Sequence, residues 1–299
     1  MPVTPLMVKE LREKTGAGML DCKKALEASD CDIEKAIVWL REKGIAKAEK
    51  KASRVAAEGL CNVVVSGNDA IVFEVNSETD FVAQNEKFTS LLEKIGSVII
   101  ASDAKCTDCA LEVDVDGKPL SQLILEASGT IGEKVSLRRV QRFTKSDSQV
   151  FGAYKHMGGR IVTLAILDGS NEECAKDVAM HVAAIAPKYV SSADIPAEEI
   201  EKEKAILLAQ ALNENATAAK PKPEAIIAKM VEGRLNKNLQ DICLLNQPFV
   251  KNPDQTVAAY VKANNCSVVS FVRLAVGEGI EKEVVDFAAE VAAQAGLNK

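Results

Sequence analysis

The chain has 299 residues, 47% hydrophobic and 27% charged, enough to bury a sizeable core divided between two or more domains. A count of 37 Lys and Arg against 43 Asp and Glu leaves a net charge of −6, and only 4% of residues are aromatic, so neither a phosphate backbone nor stacked bases are well served and direct nucleic-acid binding is not expected. The eight cysteines lack framework spacing and read as reduced thiols of a cytoplasmic protein; no apolar run is long enough to span a bilayer, and Met1-Pro2-Val3-Thr4-Pro5 leads into charged helix-forming residues instead of a secretory signal.

The first ~45 residues carry the apolar spacing of three short helices. Leu6 and Leu11 belong to the first, which Thr15-Gly16-Ala17-Gly18 ends. The second runs from Met19 to Ala28. The third opens at Asp30 or Asp32 and places Ile33, Ala36, Ile37 and Leu40 on one face, with Gly44 as its expected stop. A basic, alanine-rich segment, Lys47 to Arg54, is expected as a helical or extended linker. Charge is uneven, since residues 1–54 hold 12 basic and 9 acidic side chains in a chain that is acidic overall.

From Gly59 the hydrophobic period changes to two. Leu60 to Val65, the turn Ser66-Gly67-Asn68-Asp69 and Ala70 to Val75 read as a β-hairpin, followed by a helix through Phe88, Leu91, Leu92, Ile95 and Ile99. A similar order recurs in Val135 to Phe143, Val150 to Tyr154 and Arg160 to Leu167 as strands, then Asn171 to Ile185 as a helix. Residues 57–187 are therefore expected to be two related α+β halves.

Pro196 to Asn246 is helical again. Ile200, Leu207, Leu208, Ala211 and Leu212 mark one arm, and Ile226, Ile227, Met230, Val231 and Leu235 the other. Lys220-Pro221-Lys222-Pro223 separates them, because proline cannot continue a helix interior. An antiparallel helical hairpin is expected. A helix near Thr256 to Ala263, a strand Val268 to Val276 and a terminal helix Glu281 to Ala295 complete the reading.

Few residues suit catalysis. The two histidines, His156 and His181, stand in no metal-ligand spacing, and no GxxxxGK[ST] or GxGxxG loop is present, so no metal, cofactor or catalytic residue is expected. Cys106-Thr107-Asp108-Cys109 is a CxxC pair without further zinc ligands, read here as surface thiols. The informative segment is Glu78-Thr79-Asp80-Phe81-Val82-Ala83, where a strand ends and a helix starts. Thr79 or Ser77 can cap that helix, and Asp80 suits its positive end. Phe81, seven residues before Phe88, fits the helix's buried stripe, and pattern alone favours a core role. Met19 and Leu20 are equally compatible with bundle core and with a contact surface, Lys23-Lys24 with a solvated face.

The string TDFVAQNEKF resembles the signature of the elongation factor Ts family. So do TGAGMLDCKKAL (15–26), AMHVAA with Pro187 (179–187), KMVEGR (229–234), QPFV (247–250) and FVRLAVGEGIEK (271–282), in order over nearly the whole chain. Departures are small: Met157 extends the link from Tyr154-Lys155-His156 to Gly-Arg, and Val162-Thr163 stand where a Gly-Val pair is usual.

The resemblance implies an α+β protein. Its parts would be a three-helix ubiquitin-associated-like domain with linker (1–55), a two-lobed core with antiparallel sheets (56–145 and 146–195, completed by 247–280), an inserted coiled-coil hairpin (196–246) and a C-terminal helical module (281–299). It also implies a guanine-nucleotide exchange factor acting on the GTPase elongation factor Tu, with no cofactor and no membrane, and allows a complex with two copies of each factor. Thr79, Asp80, Phe81 and Val82 would then enter the partner's GTPase domain and disturb its magnesium site. Arg12, Met19, Leu20 and Lys23 would form the N-terminal contact, and His156 a core contact. The rival readings are a non-catalytic ubiquitin-associated-like adaptor, which leaves the TDFV segment without a task, and a thiol enzyme built on Cys106 and Cys109.

Overall fold

The computed structural model describes residues 2–217 and 222–281. Three helices open the chain: α1 (Pro5–Thr15), α2 (Met19–Ala28) and α3 (Ile33–Glu49). The Thr4 hydroxyl caps α1 by accepting the Met7 N–H at 3.4 Å, Pro5 supplies a preset φ in the first turn, and Gly16 closes the helix in the left-handed conformation, its N–H donating to the Arg12 carbonyl at 2.7 Å. Asp32 caps α3. Leu11, Cys22, Ala25, Leu26 and Ala36 form the centre of this bundle, with Ile33, Ile37 and Leu40 half-buried around it.

Gly44 does not stop α3, which continues for five more residues. Its reason is packing. Strands β1 (Glu58–Ser66) and β2 (Asp69–Ser77) are followed by α4 (Asp80–Ala83), α5 (Glu86–Ala101), α6 (Thr107–Leu111) and α7 (Leu120–Ile131). α3 crosses α7 with Gly44 against Gly129, and a Cβ on Gly129 would lie 2.6 Å from the Gly44 carbonyl. A glycine in mid-helix serves close approach here. The crossing is flanked by the ion pair of Arg41 with Glu126, to which Lys118 adds a contact at 3.5 Å.

β3 (Ser136–Thr144) joins β1 and β2 in a three-stranded sheet of order β1-β2-β3. β4 (Gln149–His156) and β5 (Ile161–Asp168) pair antiparallel, from Gln149 opposite Asp168 to His156 opposite Ile161. After α8 (Glu172–Ile185) come α9 (Ala197–Ala216), α10 (Glu224–Asp241), the short pair β6 (Pro248–Phe249) and β7 (Asn252–Thr256), α11 (Val257–Ala263) and β8 (Ser267–Ala275). β8 completes the second sheet in the order β4-β5-β8. Element order alone grouped Val135 to Phe143 with the second half, although the first lobe implied by the resemblance, 56–145, contains it; the sheet pairing puts it beside β2. Each sheet thus takes two strands adjacent in sequence and one from farther along.

The described residues divide into two compact units, one of residues 2–61, 73–141 and 275–281, the other of residues 62–72, 142–217 and 222–274. In the first, Phe73, Phe88, Ile95 and Ile99 are fully buried. In the second, α8 lays Ala175, Val178, Ala179 and Val182 on the core with Leu167, Leu244, Phe249 and Val257.

α9 and α10 run antiparallel, as the pairings of Glu214 with Arg234 and Glu203 with Asn238, both at 2.9 Å, require. Only a narrow seam is buried, Leu207 and Ala211 against Ile227, Val231 and Leu235, while Leu208, Leu212 and Ile226 of the expected stripe face solvent. Two helices alone cannot cover a wider stripe. Lys220-Pro221 of the expected arm break and nearly all of the expected terminal helix, residues 282–295, lie outside the described residues. Among those described, no helix is long and apolar enough to cross a membrane.

Candidate functional site

The TDFV segment is a turn held at its base and open at its tip. Buried Ser77, the last residue of β2, donates its hydroxyl to the Thr79 carbonyl at 2.9 Å. Glu78 accepts the Lys134 backbone N–H at 2.7 Å and pairs with Arg54 at 3.0 Å. Thr79, in extended conformation, is the N-cap of α4, and its oxygen accepts the Val82 N–H at 3.4 Å. Both donors of Thr79 go to Glu133, the backbone N–H at 2.9 Å and the hydroxyl at 2.7 Å. Glu133 directly follows Gly132, the left-handed residue that ends α7, so the end of one helix fixes the start of another.

On this base Ala83 is buried and Val82 half-buried, whereas Asp80 and Phe81 project. Phe81 is 83% exposed and Phe88 is 0% exposed, so the two do not share a stripe. α4 lasts four residues and α5 begins anew, with Asn85 in extended conformation and its side chain accepting the Lys87 N–H at 2.9 Å. That break interrupts the helical period between the two phenylalanines. The core role that spacing favoured for Phe81 is corrected by it.

The same unit carries a second candidate surface. Val3, Val8, Arg12, Met19, Leu20 and Lys23 line a groove of about 580 Å³ between α1 and α2. Met19 is 60% and Leu20 74% exposed, which places both outside the bundle core. Cys22, Ala25 and Leu26 fill that core instead.

His156 belongs to the other unit, exposed at the end of β4 with its Nδ1 3.3 Å from the Tyr154 hydroxyl. The other histidine is structural. His181 is fully buried on α8, where its Nδ1 accepts the Val250 N–H at 3.2 Å and its Nε2 lies 2.9 Å from Gln247 Oε1. Burial lowers its pKa below the ordinary value, against a smaller opposing effect of Gln247. Its ring stacks on Phe249, which stacks on Tyr260 at 4.1 Å. The AMHVAA and QPFV strings are therefore two sides of one packed joint. Thr163, a departure from the family pattern, is fully buried and gives its hydroxyl to the Ala179 carbonyl at 2.7 Å. Among the described residues no group of three or more His, Cys, Asp and Glu side chains is placed to hold a metal ion.

The supporting residues had little signal in the sequence. Glu133 is one carboxylate after a glycine. Glu74 is another, fully buried in β2 and held by Arg138 at 3.1 Å, Arg139 at 2.5 Å and the Gly277 N–H at 2.8 Å. Through it the GEG stretch of the C-terminal motif is fastened beside the strand that leads to the turn.

A family model described as Elongation factor TS matches residues 78–278. The chain is also similar to Elongation factor Ts of Acholeplasma laidlawii (strain PG-8A), 56% identical over 295 residues that cover 98% of this chain and 99% of that relative.

Proposed function

The chain belongs to the elongation factor Ts family, and on that premise we propose that it is a guanine-nucleotide exchange factor of translation elongation that binds elongation factor Tu and promotes release of GDP from it. The observation that carries the reading is the pairing of an 83% exposed Phe81 with a base clamped by Glu133. A large apolar side chain left in water at the tip of a rigid turn costs solvation in the free protein, and burial against a partner recovers it.

Phe81 acts as a wedge between helices of the partner's GTPase domain, and Asp80 competes for polar groups around its magnesium ion. Fixing the backbone at Thr79 lowers the entropy lost on insertion, the usual gain from a preorganised contact. Linkage then gives exchange without covalent chemistry. A factor that binds the nucleotide-free partner more tightly than the GDP-bound form weakens GDP binding by the same factor. Val82 and Thr79 position the wedge. The groove of Arg12, Met19, Leu20 and Lys23 supplies a second contact that mixes apolar and basic side chains, and His156 a third. The three-helix bundle is of the ubiquitin-associated type and the arms α9 and α10 form a short coiled coil in this reading.

Stopped-flow mixing with elongation factor Tu carrying fluorescent GDP tests the proposal. GDP release should accelerate with added protein, and the protein alone should hydrolyse no nucleotide. A release rate independent of its concentration would reject the assignment.

A further inference from the structure

Cys106 and Cys109 differ from the other thiols in exposure and in geometry. Cys22, Cys61, Cys174, Cys243 and Cys266 are buried and Cys31 is half-buried, while both members of the CxxC pair are exposed. Burial pushes the thiols of Cys61 and Cys174 up to about 12, which keeps them protonated and inert. Cys106 instead takes the N-cap position of α6 in extended conformation, and its Sγ accepts the Cys109 backbone N–H at 3.3 Å. The neighbouring Cys109 thiol first, and the Cys109 backbone N–H second, lower the Cys106 thiol, while the Cys106 side chain first, and burial second, raise that of Cys109. The turn beneath them is fixed. Thr107 accepts the Val140 N–H at 3.1 Å and donates to the Arg138 carbonyl at 3.4 Å, docking it on β3. Both thiols are thus carried on one fixed turn at the protein surface, with Cys106 Sγ on the Cys109 backbone N–H.

We propose that Cys106 and Cys109 are a reversible dithiol–disulfide pair, oxidised by low-molecular-weight disulfides. The Cys106 thiolate attacks one sulfur of the external disulfide, forming a mixed disulfide as the external S–S bond breaks and one thiolate leaves. Cys109, having given its proton to solvent, attacks Cys106 Sγ. The intramolecular bond closes and the second external thiolate leaves. The protein gives up two electrons and two protons, and the external disulfide takes them as two thiols. Closure to the S–S length of roughly 2.0 Å starts from a turn that already brings Cys106 Sγ to 3.3 Å from the Cys109 backbone nitrogen.

The test equilibrates the full-length chain with glutathione–glutathione disulfide buffers, native and in concentrated urea, followed by intact mass and peptide mapping. The native chain should lose two hydrogens, mapped to a 106–109 disulfide that dithiothreitol reverses. Its closure constant should exceed that of the urea-unfolded chain by about tenfold or more, since the fold raises the effective concentration of one thiol at the other. Cys109→Ser should stop at a single glutathione adduct on Cys106. Retention of both thiols in the native chain, accumulation of glutathione adducts on the wild type, or equal closure constants in both states would each overturn the proposal.

Discussion

Glu133 holds Thr79 with both of its carboxylate oxygens, one on the backbone N–H at 2.9 Å and one on the hydroxyl at 2.7 Å. This places the anchor of the exposed turn on the chain that leaves α7, 54 residues away in sequence. Glu133→Ala leaves two donors to find water and should cost about 1–3 kcal/mol of stability. Exchange on elongation factor Tu should fall severalfold even where the variant is fully folded, because Phe81 loses its fixed base. Glu133→Gln, which keeps one acceptor, should lie between. Thermal melts and GDP-release rates on both variants check this, and wild-type exchange in a folded Glu133→Ala protein would remove the clamp from the account.

The crossing of α3 and α7 predicts opposite effects for two glycines. A methyl group at Gly129 would sit 2.6 Å from the Gly44 carbonyl, so Gly129→Ala should destabilise by about 1–3 kcal/mol, as overpacking does. A methyl group at Gly44 meets nothing closer than 3.7 Å. Gly44→Ala should therefore be neutral or stabilise by up to about 1 kcal/mol through helix propensity. Urea titration of the two variants gives the sign of each.

Leu20 lies in the groove between α1 and α2 and is 74% exposed. Leu20→Ala should change stability by less than about 0.5 kcal/mol, as surface substitutions do. If the groove contacts the partner, the same change should weaken association by about 1–2 kcal/mol, five- to thirtyfold. Calorimetric titration with nucleotide-free elongation factor Tu measures it.

His181 gives the second unit a pH dependence. Its folded-state pKa is lowered by burial below the unfolded value near 6.5, so the unfolded chain binds the proton more readily. The stability it contributes is fully present above pH 6.5 and declines as pH falls through 6.5 toward the folded value. Melting midpoints measured from about pH 7.5 down to about pH 5 should fall less steeply for His181→Gln than for the wild type. Equal slopes would show that His181 carries no linkage.

Much of the fold was legible because its signals are local. Thr4-Pro5 and Gly16 bracket α1, Asp32 opens α3, and Asn171 opens α8. The α5 stripe of Phe88, Leu91, Leu92, Ile95 and Ile99 is buried as its spacing implied. What failed was non-local. Gly44 looks like a stop until Gly129 is known to face it, and no period in the sequence pairs them. Strand spacing cannot say that β3 belongs beside β2 and β8 beside β5. α7 did carry readable marks, Pro119 before Leu120, Leu123 and Ile124, and Gly132 after, that the strand and helix pattern on either side obscured. At the candidate site, spacing alone misplaced Phe81, because the break at Asn85 depends on one capping side chain. Glu133 had no signal at all, since its partner Thr79 is fixed only by the tertiary fold.

The central claim rests on Phe81, and one comparison tests it most directly: melting temperature and GDP-release rate for Phe81→Ala beside the wild type. With the ring 83% exposed, removing it should leave the melting temperature nearly unchanged, whereas a buried phenylalanine would cost ~3–5 kcal/mol. Exchange should drop by more than about tenfold, the loss expected for an aromatic anchor worth ~2 kcal/mol or more at an interface. A large fall in melting temperature together with wild-type exchange by the fraction that remains folded would contradict the wedge.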